Sequence, residues 1–227
     1  MKYAFRDFVT RIIKAIIDVI CIVHAGDINK VPLKGPFILA ANHINFMEAV
    51  IFFTFTPPRP ITGIAKVETW DSPILGPLFS LWGAIPIKRG EADRAAYDAC
   101  MLALQENKIL AILPEGTRSG NGLLQKGQPG IVLLAARSDL PILPGVVWGQ
   151  ENFWHNLRRF KQTELFIRVG EPFKLRTEEM SFDRETRQRM ADEVMYRLSE
   201  LMPEKYRGEY ADLSLSDASL WAPYSFK

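Results

Sequence analysis

Beyond Gly26 the chain alternates short apolar runs with longer amphipathic stretches, and that alternation restricts it to one broad class of fold. The runs 36–41 (PFILAA), 61–66 (ITGIAK), 84–88 (AIPIK), 109–114 (ILAILP), 142–148 (ILPGVVW) and 165–169 (LFIRV) read as strands. Between them, residues 45–55, 91–106, 130–137 and 182–202 read as helices. Strands taking turns with helices predict an α/β fold, a largely parallel mixed sheet flanked by helices, over residues 26–205. With 227 residues there is enough chain for one substantial core. Residues 206–227 are polar with scattered aromatics and are expected to form a loosely packed tail.

The first 25 residues form a segment of their own. Lys2, Arg6, Asp7, Arg11, Lys14 and Asp18 interrupt an Ile/Val/Phe-rich run every three or four residues. On a helix they gather on one face, with Phe5, Phe8, Ile12, Ile13, Ile16, Ile17 and Ile20 on the other. A charged residue at bilayer centre costs on the order of 3 kcal/mol, so six of them argue against a membrane span. No small-residue cleavage site follows. Two readings fit the periodicity equally: a helix lying in a membrane interface, and one covering the domain's own core.

Composition removes several functions. Hydrophobic residues are 48 % and charged residues 24 % of the chain, which describes a packed body, and a net charge of +2 without a Lys/Arg block gives no nucleic-acid footprint. Cys21 and Cys100 form no paired motif, and three histidines without a Cys/carboxylate cluster offer no metal framework. Neither a metal nor a cofactor is therefore expected.

In α/β folds ligands collect at loops leaving the C-terminal ends of strands. The run 36–41 leads directly into Asn42-His43, with Glu48 five residues further on. On one continuous helix that spacing separates side chains by roughly 140°. With His43 in the loop and Glu48 in the first helical turn, the two can meet. A carboxylate on one imidazole nitrogen fixes the tautomer and steadies the charge gained when the other nitrogen takes a proton. No serine or cysteine nucleophile stands beside the pair, so a substrate hydroxyl would attack. Equally, Asn45-x-x-Glu48 reads as a capping box in which Glu48 is structural, and its two oxygens allow both roles.

Two later loops suit an anion. The run 109–114 ends in Glu115-Gly116-Thr117-Arg118-Ser119-Gly120, where backbone N–H groups and a guanidinium can meet phosphate, and which also reads as a polar turn. The run 84–88 ends in Lys88-Arg89-Gly90 ahead of a helix. There, too, pairing of Lys88 and Arg89 with Glu91 and Asp93 is the simpler alternative. Prolines at 141 and 144 bracket a short apolar run and suit an edge strand.

Together and in this order, these segments resemble the glycerophospholipid acyltransferase family, whose best-known members are 1-acylglycerol-3-phosphate acyltransferases. The family's four blocks appear as Asn42-His43-x4-Glu48, Gly83-Ala84-Ile85-Pro86-Ile87-Lys88-Arg89, Leu113-Pro114-Glu115-Gly116-Thr117-Arg118-Ser119 and Leu140-Pro141-Ile142-Leu143-Pro144, over about residues 30 to 150. The resemblance implies His43 as general base and Glu48 as its orienting acid. It implies that Arg89, Glu115, Gly116, Thr117 and Arg118 hold the acceptor's phosphate and that Pro144 shapes the acyl-donor side. Glu48 stands where the family has aspartate, and Pro86 where it has phenylalanine.

The implied reaction moves a fatty acyl group from an acyl thioester, carried by CoA or acyl carrier protein, to the hydroxyl of a lysophosphatidic-acid-type acceptor. No cofactor is implied. Glycerol 3-phosphate, another lysophospholipid or a lyso-ornithine lipid are alternative acceptors. A catalytically silent membrane-associated binding subunit is the alternative from another class. The resemblance also implies that the N-terminal segment docks on a membrane surface, peripheral or monotopic, at its cytoplasmic face.

Overall fold

A computed structural model of the chain describes residues 2–56, 59–88, 90, 93–178 and 182–226. Helix α1 (Lys2–Ile20) leads into β1 (Cys21–His24), β2 (Phe37–Ala41), α2 (Met47–Phe55), β3 (Ile61–Lys66), α3 (Leu75–Leu81) and β4 (Ile85–Ile87). The chain continues through α4 (Arg94–Gln105), β5 (Ile109–Ile112), α5 (Gly130–Ser138), β6 (Ile142–Trp148), α6 (Phe153–Leu157) and β7 (Thr163–Val169). It ends with β8 (Phe173–Leu175), α7 (Arg184–Ser199) and β9 (Trp221–Pro223).

The sheet runs β1-β7-β6-β2-β5-β3-β4, with β8 paired to β6 and β9 to β8. Strands β6, β2, β5, β3 and β4 are parallel neighbours, while β7 and β8 run antiparallel to β6. This is the mixed, largely parallel sheet that the alternation of runs predicts. Strand β2 sits inside it, and all five of its residues are fully buried. Phe37, Leu39 and Ala41 face the layer of α1 and α2, whereas Ile38 and Ala40 face α4, α5 and α7. A strand covered on both faces needs a continuous apolar run, which is what FILAA is. Helix α2 is apolar around most of its circumference and buries seven of its nine residues. Asp93 and Asp183 start α4 and α7 by accepting from the N–H of Ala96 and Thr186. The helix expected from 91 is seen from Arg94; residues 91 and 92 lie outside the described residues.

Two expectations change. The stretch 206–227, expected to be loose, is packed: Tyr210 and Leu220 are buried, and Phe226 meets Phe37 edge-on at 5.5 Å between ring centres. Buried Ser199 donates to the Tyr210 carbonyl at 2.6 Å, and β9 extends the sheet. Aromatics every few residues thus anchor a segment whose polarity suggested a tail. The apolar face expected of α1 is divided rather than single. Ile13 and Ile17 turn toward the core, and Trp82 Nε1 donates to Thr10 on the same side at 3.1 Å. Phe5, Phe8, Ile12, Ile16 and Val19 point outward, at 45–71 % exposure. The helix therefore covers the core and still presents an apolar stripe. Among the described residues no helix is long and apolar enough to cross a membrane.

Candidate active site

The turn after β2 is held from three sides. The side-chain amide of Asn42 accepts from the Val147 N–H at 2.9 Å and donates to the Val147 carbonyl at 2.8 Å. It mimics one more peptide unit of the β2–β6 ladder and carries the sheet's rigidity into the turn. The His43 N–H donates to Glu115 Oε1 at 2.6 Å, and the Ser119 N–H donates to the His43 carbonyl at 2.8 Å. The loop after β5 thus grips the backbone of the loop after β2.

Glu48 lies fully buried in the first turn of α2. Its Oε1 accepts from the N–H groups of Ile44 at 2.6 Å and Asn45 at 3.0 Å, and from Gln150 Nε2 at 2.7 Å. Its Oε2 stands 3.6 Å from His43 Nδ1. One oxygen thus makes capping-box contacts, and the other, which also accepts from the Asn45 N–H at 3.3 Å, faces His43. Asn45 accepts from the Met47 N–H at 2.8 Å, which closes a turn ahead of the helix and delays its start from the expected 45 to Met47. His43 Nδ1 is buried with Glu48 as its near polar neighbour, at just over hydrogen-bond length.

The His43 ring borders a cavity of about 700 Å³. Phe46, Ile64, Phe79, Tyr97, Ile131 and Leu134 supply apolar wall, while Lys66, Gly116, Thr117, Arg118 and Gln128 add polar groups. One long apolar chain and one anionic head fit such a lining. Gly116 turns the loop at φ 69°, a left-handed conformation that side chains rarely adopt, and it brings backbone onto the cavity wall beside Arg118.

The expected residues divide as follows. His43, Gly116, Thr117 and Arg118 share the cavity, and Glu48 backs His43 from the protein side. Glu115 is different: its carboxylate is buried and turned to the N–H groups of His43 and of Gln125, the latter at 3.0 Å. It therefore ties the two loops together and takes no part in the cavity lining. Pro144 lies buried inside β6, opposite Ala40 of β2 and outside the cavity lining, so it does not mark an edge. Arg89 lies outside the described residues. Sequence reasoning missed Gln150, Gln128 and Lys66; all three sit at or just beyond a strand's C-terminal end or in the loop after β5, where the same rule applied. Among the described residues no three His, Cys, Asp or Glu side chains come together as a metal site.

Burial pushes the Glu115 carboxyl up to about 7, against the pull of the His43 and Gln125 N–H donors. The folded chain thus keeps a proton there over a range in which the unfolded chain, near 4.5, has lost it. Stability from this group is full below about pH 4.5 and is lost as pH rises to about 7, on the order of 3 kcal/mol in all. Denaturant titrations of wild type and Glu115→Gln across this range are expected to show wild type losing stability relative to the variant. A pH-independent difference would refute the assignment.

The Acyltransferase family model matches residues 22–148, a segment that contains His43, Glu48 and the loop 115–118. Over 124 residues the chain is 35 % identical to the 1-acyl-sn-glycerol-3-phosphate acyltransferase of Limnanthes alba, covering 53 % of this chain and 44 % of that one. The protein of the same name from Limnanthes douglasii is 34 % identical over the same shares. The chain thus spans about half the length of the curated relatives it matches. The crystal structure of the 1-acyl-sn-glycerophosphate (LPA) acyltransferase PlsC from Thermotoga maritima shares the fold. Its TM-score is 0.63 at 21 % identity, over 86 % of this chain and 80 % of that one.

Proposed function

The chain belongs to the Acyltransferase family, and on that premise we propose that it moves a fatty acyl group from an acyl thioester to the hydroxyl of a lysophosphatidic-acid-type acceptor. One observation carries the reading: His43 stands on the wall of an apolar cavity with its Nδ1 backed by a buried carboxylate and Arg118 on the same wall. Glu48 keeps the Nδ1 proton in place, so Nε2 is the nitrogen that takes the acceptor's hydroxyl proton. The oxygen then attacks the thioester carbonyl, the C–S bond breaks, and the protonated His43 returns its proton to the leaving thiolate. Arg118, the loop at Gly116-Thr117 and, from the sequence pattern, Arg89 take the phosphate. Pairing and placement of the two substrates supply much of the rate. The names of the relatives support lysophosphatidic acid as acceptor.

The outward apolar stripe of α1 supports a peripheral seat on a lipid surface. The donor is acyl-CoA or acyl carrier protein, and phospholipid synthesis is the process served.

The acceptor assignment is tested by initial rates against lysophosphatidic acid and against a monoacylglycerol that lacks the phosphate. A charge-assisted hydrogen bond contributes about 1.5–3 kcal/mol, so Arg118→Ala is expected to raise KM for lysophosphatidic acid about 10- to 100-fold. Its kcat should stay within a few-fold of wild type. Equal use of both acceptors by wild type would overturn the phosphate assignment.

A further inference from the structure

Gln150 follows the last strand of the family-matched segment and sits two residues beyond it. It is fully buried, and it reaches Glu48 across 102 residues of sequence with a 2.7 Å hydrogen bond from Nε2 to Oε1. Two features fix it there. Gly149 precedes it at φ 98°, and a Cβ at that position would run into the Glu164 carbonyl, so the backbone entering Gln150 needs glycine. Asn45 Nδ2 also donates to the Gln150 carbonyl at 3.1 Å, tying it to the turn that carries His43.

Glu48 has His43 as its ion-pair partner among the described residues. Apart from that histidine, its charge rests on N–H donors. The donors from Ile44 and Asn45 are local to the helix start, and among the described residues Gln150 is the one side chain that donates. The shortest donor bonds converge on Oε1, and this turns Oε2 toward His43 Nδ1. The amide orientation of Gln150 is dictated by chemistry, since a carboxylate accepts from nitrogen and repels oxygen. Its own Oε1 is left buried without a partner. Such an orphan acceptor marks an amide placed for its donor rather than for packing.

We propose that Gln150 is a positioning residue of the acyl transfer, holding the Glu48 carboxylate rotated so that Oε2 faces His43. The proposal rests on His43 acting as base. Its reach is in turnover, not in binding, because Gln150 is absent from the cavity wall.

Two variants test it, with acyl transfer measured at saturating acceptor and donor. Gln150→Leu keeps much of the shape and removes the donor; kcat is expected to fall about 10- to 100-fold with both KM values within about twofold. Gln150→Glu puts a second carboxyl against Glu48. While the pair holds one proton its O–H replaces the amide donor, and when that proton leaves two anions face each other. The ratio of variant to wild-type kcat is therefore expected to fall steadily as pH rises from about 6 to about 9, a trend that loss of packing does not produce. A kcat within about twofold of wild type in folded Gln150→Leu, a loss confined to KM, or a pH-independent ratio for Gln150→Glu would each overturn the proposal. If Gln150→Leu fails to fold, the Gln150→Glu ratio decides alone. His43→Ala runs alongside: full activity there removes the base itself, whereas an inactive His43→Ala beside a normal Gln150→Leu removes only this inference.

Discussion

Changing Glu48 to glutamine is expected to reduce acyl transfer by about 10²–10⁴-fold while stability changes by less than about 1 kcal/mol. The separation follows from the two oxygens. A glutamine keeps one carbonyl oxygen for the N–H groups of Ile44 and Asn45 and for Gln150 Nε2. Its NH₂ then occupies the place of Oε2 and points at His43 Nδ1. Nδ1 must become an acceptor, the ring proton moves to Nε2, and the nitrogen facing the substrate can no longer accept. Glu48→Ala behaves differently, because three buried or part-buried donors lose their partner at once. Each unmatched donor costs about 1–3 kcal/mol, so the total is roughly 3–9 kcal/mol, a melting temperature lower by on the order of 10–30 °C. Thermal unfolding and initial rates on both variants check this. A glutamine variant as active as wild type would leave Glu48 a helix cap only.

Much of this site was legible before the structure. Strands β2 and β6, buried on both faces, were readable as the unbroken apolar runs FILAA and ILPGVVW, whereas β7 shows the alternation of a half-buried strand. His43 and the loop 115–118 stood out because they end such runs. What stayed hidden has physical causes. Strands β8 and β9 are three residues long, too short to show a period of two. Glu115 was implied as a ligand group by the resemblance of the block 115–118, yet within that turn its carboxylate points inward to the His43 N–H while Arg118, three residues on, lines the cavity. Pro144 suggested an edge, but its missing N–H is accommodated in an interior strand, where its carbonyl still accepts from the Gly170 N–H at 2.9 Å. Gln150 meets Glu48 only through the pairing of β2 with β6, a long-range contact that no local spacing reports. The same contact helps hold Glu48, which stands where the family pattern has aspartate, with Oε1 on three donors and Oε2 3.6 Å from His43 Nδ1.

Proton transfer by a placed histidine contributes about 10²–10⁴-fold to a reaction of this kind. The most direct test is therefore the rate at which purified wild type and His43→Ala convert lysophosphatidic acid and labelled acyl-CoA to phosphatidic acid on lipid vesicles. The ring touches solvent over only 7 % of its surface and has no strong hydrogen bond to lose, so the variant should fold. Product formation by wild type, reduced about 10²–10⁴-fold in folded His43→Ala, is the predicted result. Undiminished product formation by His43→Ala would contradict the account.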